Sequence, residues 1–264
     1  MRPITLLVPL AALSLAACAT TAATEEEQAV IDTMNANTIV PASAAEREAV
    51  RSQDLLTQAA FWAEAYELNP SDLEAALELS HALRQLGNNR RAAEVAQQTL
   101  ALYPDNAELL LAHGSALTAA GRGAAGLESL RRAHDLNPGN WQTLNALGIA
   151  QEQAGQSEQA RQSFRAALQL EPGRPSLLSN LALSYAAEGE AETAERMLRE
   201  AMIRPGAGAT IRQNLALVMA LQGRFDEAET MARVDVPEEM AEANMAYIRS
   251  MLTSRRRYDA VRAD

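Results

Sequence analysis

The sequence predicts an all-α protein, a right-handed α-α superhelical solenoid of five to six helical hairpins closed by a C-terminal helix. Composition is the first reason: alanine and leucine dominate the 264 residues and aromatic residues make up only 4%. Small and unbranched apolar side chains suit closely packed helices and offer little to a pleated sheet. The second reason is a register. Gly87, Gly121, Gly155, Gly189 and Gly223 recur every 34 residues, as do Pro70, Pro104, Pro138 and Pro172, and as do Ala92, Gly126, Ala160, Ala194 and Ala228. The third reason is that the stretches between these markers are amphipathic and about 14 residues long, the length of a short globular helix.

Residues 1–17 read as a secretory signal, in which Arg2 supplies the positive start. The run from Ile4 to Ala17 is apolar but too short to cross a bilayer as a stable helix. It ends in Leu15-Ala16-Ala17-Cys18, which resembles the bacterial lipobox, where small residues fit the signal peptidase and the thiol is diacylated before cleavage. Cys18 is the only cysteine in the chain, and it stands where that motif requires one. The resemblance implies lipidation of Cys18 as the first residue of the mature protein. With about 0.8 kcal/mol for each buried CH₂, two or three acyl chains make such an anchor effectively permanent. Residue 19 is Ala, whereas lipoproteins retained in the inner membrane of enterobacteria carry Asp there. The resemblance therefore implies the periplasmic face of the outer membrane. Residues 18–42, rich in Ala and Thr and carrying Glu25 to Glu27 and Pro41, read as a flexible tether.

Residues 43–236 hold the register, and 34 residues is the period of the tetratricopeptide repeat. Each Gly falls where the first helix of a hairpin ends and the chain needs a left-handed conformation that a side chain would penalise. Each Pro lies just beyond the second helix, where it cannot continue the hydrogen-bond ladder. The Ala five residues after each turn Gly, replaced once by Gly126, is placed where the two helices cross, and a larger residue would push them apart. Trp141 to Arg174 is the clearest unit. The next ends irregularly, with Pro205 one residue early and Gly206-Ala207-Gly208 behind it, which predicts a looser turn. The first unit is eroded: Trp62, Ala65, Leu68 and Pro70 mark its second helix, and its first helix has no Gly stop. Pro237 opens a further helix expected to reach Thr253, with Met240, Tyr247, Ile248, Met251 and Leu252 on the face that caps the last repeat. Residues 254–264, with Arg255-Arg256-Arg257, read as a basic tail in solvent.

Charge and motifs exclude several functions. All 23 basic residues are Arg and the net charge is −11, which opposes binding to the phosphate backbone of a nucleic acid. His81, His113 and His134 sit in different repeats. His81 and His113 lie on neighbouring first helices and could approach each other, but two imidazoles without a carboxylate hold zinc poorly. Glycine-rich phosphate loops, a Gly-x-Ser-x-Gly elbow and His-Glu-x-x-His are absent. No cofactor, metal or small-molecule substrate is expected, and no enzymatic activity. The expected working surface is the concave strip lined by first helices: Arg84, Gln142, Asn145 and Ile149, continuing through Ser176, Asn180, Leu183, Asn214 and Leu217. Such a strip can grip an extended or helical segment of another protein. Asn180 and Asn214 share one repeat position and are expected to bond a ligand backbone.

The blocks Arg-Gln-Asn-Leu-Ala-Leu from Arg212, Gly-Arg-Phe-Asp-Glu-Ala-Glu from Gly223 and Ala-Glu-Ala-Asn-Met-Ala-Tyr-Ile-Arg-Ser-Met from Ala241, with the lipobox at Cys18, carry a resemblance to the TadD lipoproteins of the tight-adherence (Flp) pilus system. Asn244, Tyr247 and Arg249 are its most diagnostic residues. The resemblance implies a non-enzymatic, pilotin-like factor that binds the secretin or another subunit of a pilus assembly machine. The alternative is an envelope adaptor that brings a peptidoglycan hydrolase or protease to its substrate.

Overall fold

The computed structural model describes residues 42–263, with side chains through Thr253. The expected signal, the lipidation residue Cys18 and the tether up to Pro41 lie outside the described residues. Among those described there are thirteen helices and no strand. A first unit consists of α1 (Ala44–Val50) and α2 (Leu55–Leu68). Five hairpins follow: α3 (Leu73–Gln85) with α4 (Asn89–Leu100), α5 (Ala107–Ala119) with α6 (Gly123–Leu136), α7 (Trp141–Gln153) with α8 (Ser157–Leu170), α9 (Pro175–Ala187) with α10 (Ala191–Met202), and α11 (Ala209–Leu221) with α12 (Phe225–Ala232). The last helix is α13 (Glu238–Ala263). Each helix of the hairpins packs on its sequence neighbours, and the first helices α3, α5, α7, α9 and α11 also touch one another in series. That series forms the inner row of a helical repeat superhelix.

The 34-residue markers act as predicted. The five turn glycines have φ between 72° and 88°, and each closes its helix with the same pair of bonds. At the first, Gly87 N–H donates to the Arg84 carbonyl at 3.1 Å and Asn88 N–H to the Leu83 carbonyl at 2.8 Å. These bonds satisfy carbonyls that the helix end leaves open. At the crossing position Ala92, Ala160, Ala194 and Ala228 are fully buried. Where Gly126 stands, an added Cβ would lie 2.7 Å from the Gly114 carbonyl oxygen. The two glycines let the backbones of α5 and α6 approach closely.

Helix starts show a second periodicity. Asp72, Asn106 and Asn140, again 34 apart, accept from the backbone N–H groups of Ala75, Leu109 and Thr143. Such caps contribute about 1 kcal/mol each. In the next two repeats the position holds Arg174 and Gly208, and neither makes a side-chain cap. The turns before α5 and α11 span six residues each, against four before α7 and α9; the one before α11 holds the early Pro205 beside Gly206 at φ +83°.

The eroded first unit is fastened differently from the others. Its first helix has only seven residues, and it is held by Arg47, which pairs with Asp72 and reaches Glu74 at 2.8 Å. The same guanidinium lies 5.7 Å from the ring centre of Trp62, which is fully buried.

The C-terminal helix corrects two expectations. It runs past Thr253 to Ala263, so Arg255 to Arg257 continue the helix. Its five expected contact residues also do not share one face. Ala241, Met245 and Ile248 are buried against the last hairpin and Leu252 packs beside them, while Met240, Tyr247 and Met251 are exposed. The buried set follows spacings of four, three and four, the stripe that one helix presents to a neighbour. Met240, Tyr247 and Met251 belong to a second stripe.

Candidate functional site

The first helices of consecutive repeats place equivalent residues side by side, so the inner row is read one repeat position at a time. One position runs Leu77, Leu111, Asn145, Ser179; another runs His81, Ser115, Ile149, Leu183, Leu217; a third runs Glu74, Glu108, Gln142, Ser176. Across α3, α5 and α7 these rows line an open groove of about 690 Å³. Its apolar lining comes from Leu77, Leu111, Ala112, Trp141 and Ile149. Polar groups beside it are Glu78, His81, Arg84, Glu108, Gln142 and Asn145. Trp141 is held in place by Arg174, whose guanidinium lies 4.1 Å from its ring centre. Burial, with the neighbouring Arg84 cation, pushes the His81 imidazole below its ordinary pKa.

In the second half the inner row is bridged. Asn180 Nδ2 donates to Asn145 Oδ1 at 2.7 Å, and Asn214 Nδ2 donates to Ser179 Oγ at 2.9 Å. These are one bond repeated: donor and acceptor each recur 34 residues on. Ser184 adds a third bridge to Glu152. One N–H of each amide is thus used between repeats, while both residues still border the inner row. What remains there are smaller hollows. One of about 590 Å³ is bordered by Ser176, Asn180 and Asn214, and one of about 250 Å³ by Ile149, Asn180 and Leu183.

Of the nine residues expected on the strip, the structure brings Arg84, Gln142, Asn145 and Ile149 together in the main groove. Ser176, Asn180, Leu183 and Asn214 line the smaller hollows, and Leu217 is half-buried against the core of the last repeats. Sequence reasoning missed Leu77, His81, Leu111 and Glu108. Counting back in steps of 34 from Asn145, Ile149 and Gln142 reaches all four. The histidines do not converge: His113 Nδ1 pairs with Ser129 Oγ on α6 at 2.8 Å, while His81 lines the groove beside Gln85. No group of three or more His, Cys, Asp or Glu among the described residues could hold a metal ion. No helix among them is long and apolar enough to cross a membrane.

A superhelix of helical hairpins with an open inner groove defines a repeat scaffold, the class of protein that holds other polypeptides. Two profiles described as Tetratricopeptide repeat match the chain, one over residues 77–140 and 111–175, the other over 175–200 and 212–233. Together they cover more than half of it, and the chain belongs to the tetratricopeptide-repeat proteins. No curated protein matches it in sequence. Among solved structures it is similar to a thermophilic tetratricopeptide-repeat protein of Thermus thermophilus, with 22% identity and a TM-score of 0.56 over 62% of this chain and 90% of that one. It is also similar to MamA from Desulfovibrio magneticus RS-1, with 20% identity and a TM-score of 0.51 over 59% of this chain and 88% of that one. At these identities the likeness concerns the fold.

Proposed function

We propose that the protein is a lipid-anchored, non-enzymatic scaffold of the tight-adherence (Flp) pilus assembly system. It sits at the periplasmic face of the outer membrane and, in the manner of a pilotin, holds a segment of the secretin or of another machine subunit. The observation that carries this reading is the groove across α3, α5 and α7, which is open and apolar where the second half of the inner row is bridged. An apolar channel flanked by a few polar groups suits a segment that offers apolar side chains at regular spacing. Attachment through Cys18 would fix the groove beside the bilayer, where an outer-membrane subunit must be met during assembly. The resemblance of the segment from Arg212 to Leu252 to TadD lipoproteins supplies the system.

The test is purification of the lipidated protein from detergent-solubilised outer membranes, with identification of what accompanies it. A secretin or another pilus subunit is expected in the wild type and is expected to disappear with Leu111→Arg. Recovery of a peptidoglycan hydrolase or protease in its place would overturn the assignment. For the anchor, Cys18→Ser is expected to release a folded protein into the periplasm; membrane retention of that variant in cells lacking the secretin would refute it.

A further inference from the structure

The groove across α3, α5 and α7 differs in charge between its two edges. Along one edge Glu108, in the first turn of α5, takes the repeat position of Glu74, and Gln142 follows it on α7. At the other edge stands Arg84, in the last turn of α3. Leu77 and Leu111 lie between these edges. In the repeat register Glu108 falls ten residues before Arg84, which separates the two levels by about 15 Å at the rise of an α-helix. The neighbouring acids are already paired: Glu74 reaches Arg47 at 2.8 Å and Glu78 reaches Arg51 at 3.3 Å. Among the described residues Glu108 and Arg84 have no ion pair and no side-chain hydrogen bond.

We propose that the groove receives an amphipathic helix whose apolar stripe is bordered by a basic residue on one flank and an acidic residue on the other. This rests on the groove capturing a polypeptide and names the kind of segment captured. Width decides the conformation. A helix with its side chains is about 10–12 Å across, so it can rest on the two leucines and reach both edges, whereas an extended chain, about 5 Å wide, leaves one of the two charges unmet. Length decides the spacing. Arg84 and Glu108 belong to successive first helices, whose axes lie about 8–10 Å apart. Along the occupant that distance is about five or six residues, and at about 100° per residue such a step places the two charges on opposite flanks. Glu108 then meets the basic residue and Arg84 the acidic one. A given occupant matches both in only one direction along the groove, because turning it end for end sets acid against Glu108 and base against Arg84.

The experiment is a selection from displayed peptides of about 15 residues, carried out on the full chain with Cys18→Ser. Leucines fix the stripe, two flank positions about five residues apart carry Lys, Glu or Gln, and the other positions vary freely. The parent is expected to enrich peptides with one Lys and one Glu, in either order, about fivefold over those with two Lys or two Glu, the upper worth of an exposed ion pair. Arg84→Glu should move the preference to two Lys, and Glu108→Arg should move it to two Glu. The chain carrying both exchanges should return to the mixed pair, which also shows that the single variants are folded. Leu111→Arg should abolish enrichment. Binders indifferent to these exchanges, or binders with proline in mid-sequence, overturn the charged-helix occupant and leave capture by the groove standing. No enrichment by the parent, or enrichment that Leu111→Arg does not disturb, overturns both.

Discussion

Gly148 on α7 lies directly against the ring of Phe164 on α8: a Cβ built on the glycine would stand 2.5 Å from Phe164 Cε1. Phe164 is itself 1% exposed and has no room to withdraw. The contact sets the spacing of the central hairpin. Gly148→Ala is therefore expected to cost about 1–3 kcal/mol through overpacking, read by urea or thermal unfolding. In a background with Phe164→Leu the same substitution should cost less, and equal costs in the two backgrounds would show that the pair is not coupled.

Gly155, seven residues on, should be as intolerant for a different reason. Nothing lies within 4 Å of its missing Cβ, but its φ is +72°. Gly155→Ala is expected to cost about 1–2 kcal/mol from the left-handed backbone alone, with no relief from Phe164→Leu. That contrast separates strain in the chain from crowding between helices.

The turn glycines and crossing alanines were legible because each is required by a constraint that recurs: a left-handed turn, or two backbones in close approach. The five hairpins and the eroded start followed from those positions. Partial burial is harder to read. Met240, Ile248 and Tyr247 are all large and apolar, and their number in the sequence does not say which of two adjacent stripes meets the preceding hairpin. The engaged amides of Asn180 and Asn214 were hidden for a similar reason, since their partners Asn145 and Ser179 belong to the preceding first helix. The apolar first half of the groove was accessible in principle, because Leu77 and Leu111 stand in the same register as Asn145.

The stripe assignment on α13 can be measured. Met245→Ala removes a buried side chain and should destabilise the protein by about 2–5 kcal/mol, the range for such truncations in a core. Met240→Ala, on the exposed stripe, should change stability by less than about 0.5 kcal/mol. Matching losses from both would return the two residues to one face.

The repeated amide bond predicts a modest, paired effect. Asn180→Ala and Asn214→Ala are each expected to cost about 0.5–1.5 kcal/mol, the net worth of one hydrogen bond. A double-mutant cycle of Asn180 with Asn145 should show coupling, while Asn180 with Ser179 should show little.

Acid sensitivity should depend on Glu195. Burial opposes its ionisation, but hydrogen bonds from Arg224 at 2.7 Å, Gln222 at 2.9 Å and Arg199 at 2.8 Å outweigh that and hold its carboxyl at about 2. The folded value lies below the ordinary value of 4.5, so the unfolded chain binds the proton more readily. The stabilisation is complete above that ordinary value and is lost as pH falls towards the folded one. Glu195→Gln is expected to flatten the stability profile between pH 4.5 and 2, and an unchanged acid limb would contradict the arrangement.

Capture through the inner row is tested most directly by where a partner touches the protein. A photo-reactive amino acid placed at Leu111 or Ile149 in the groove, and at Arg131 on the second-helix surface as a control, can be cross-linked in living cells. Adducts to another envelope polypeptide are expected from both groove positions and not from Arg131. Adducts of equal strength from Arg131, or none from the groove while the system is assembling, would contradict capture through the inner row.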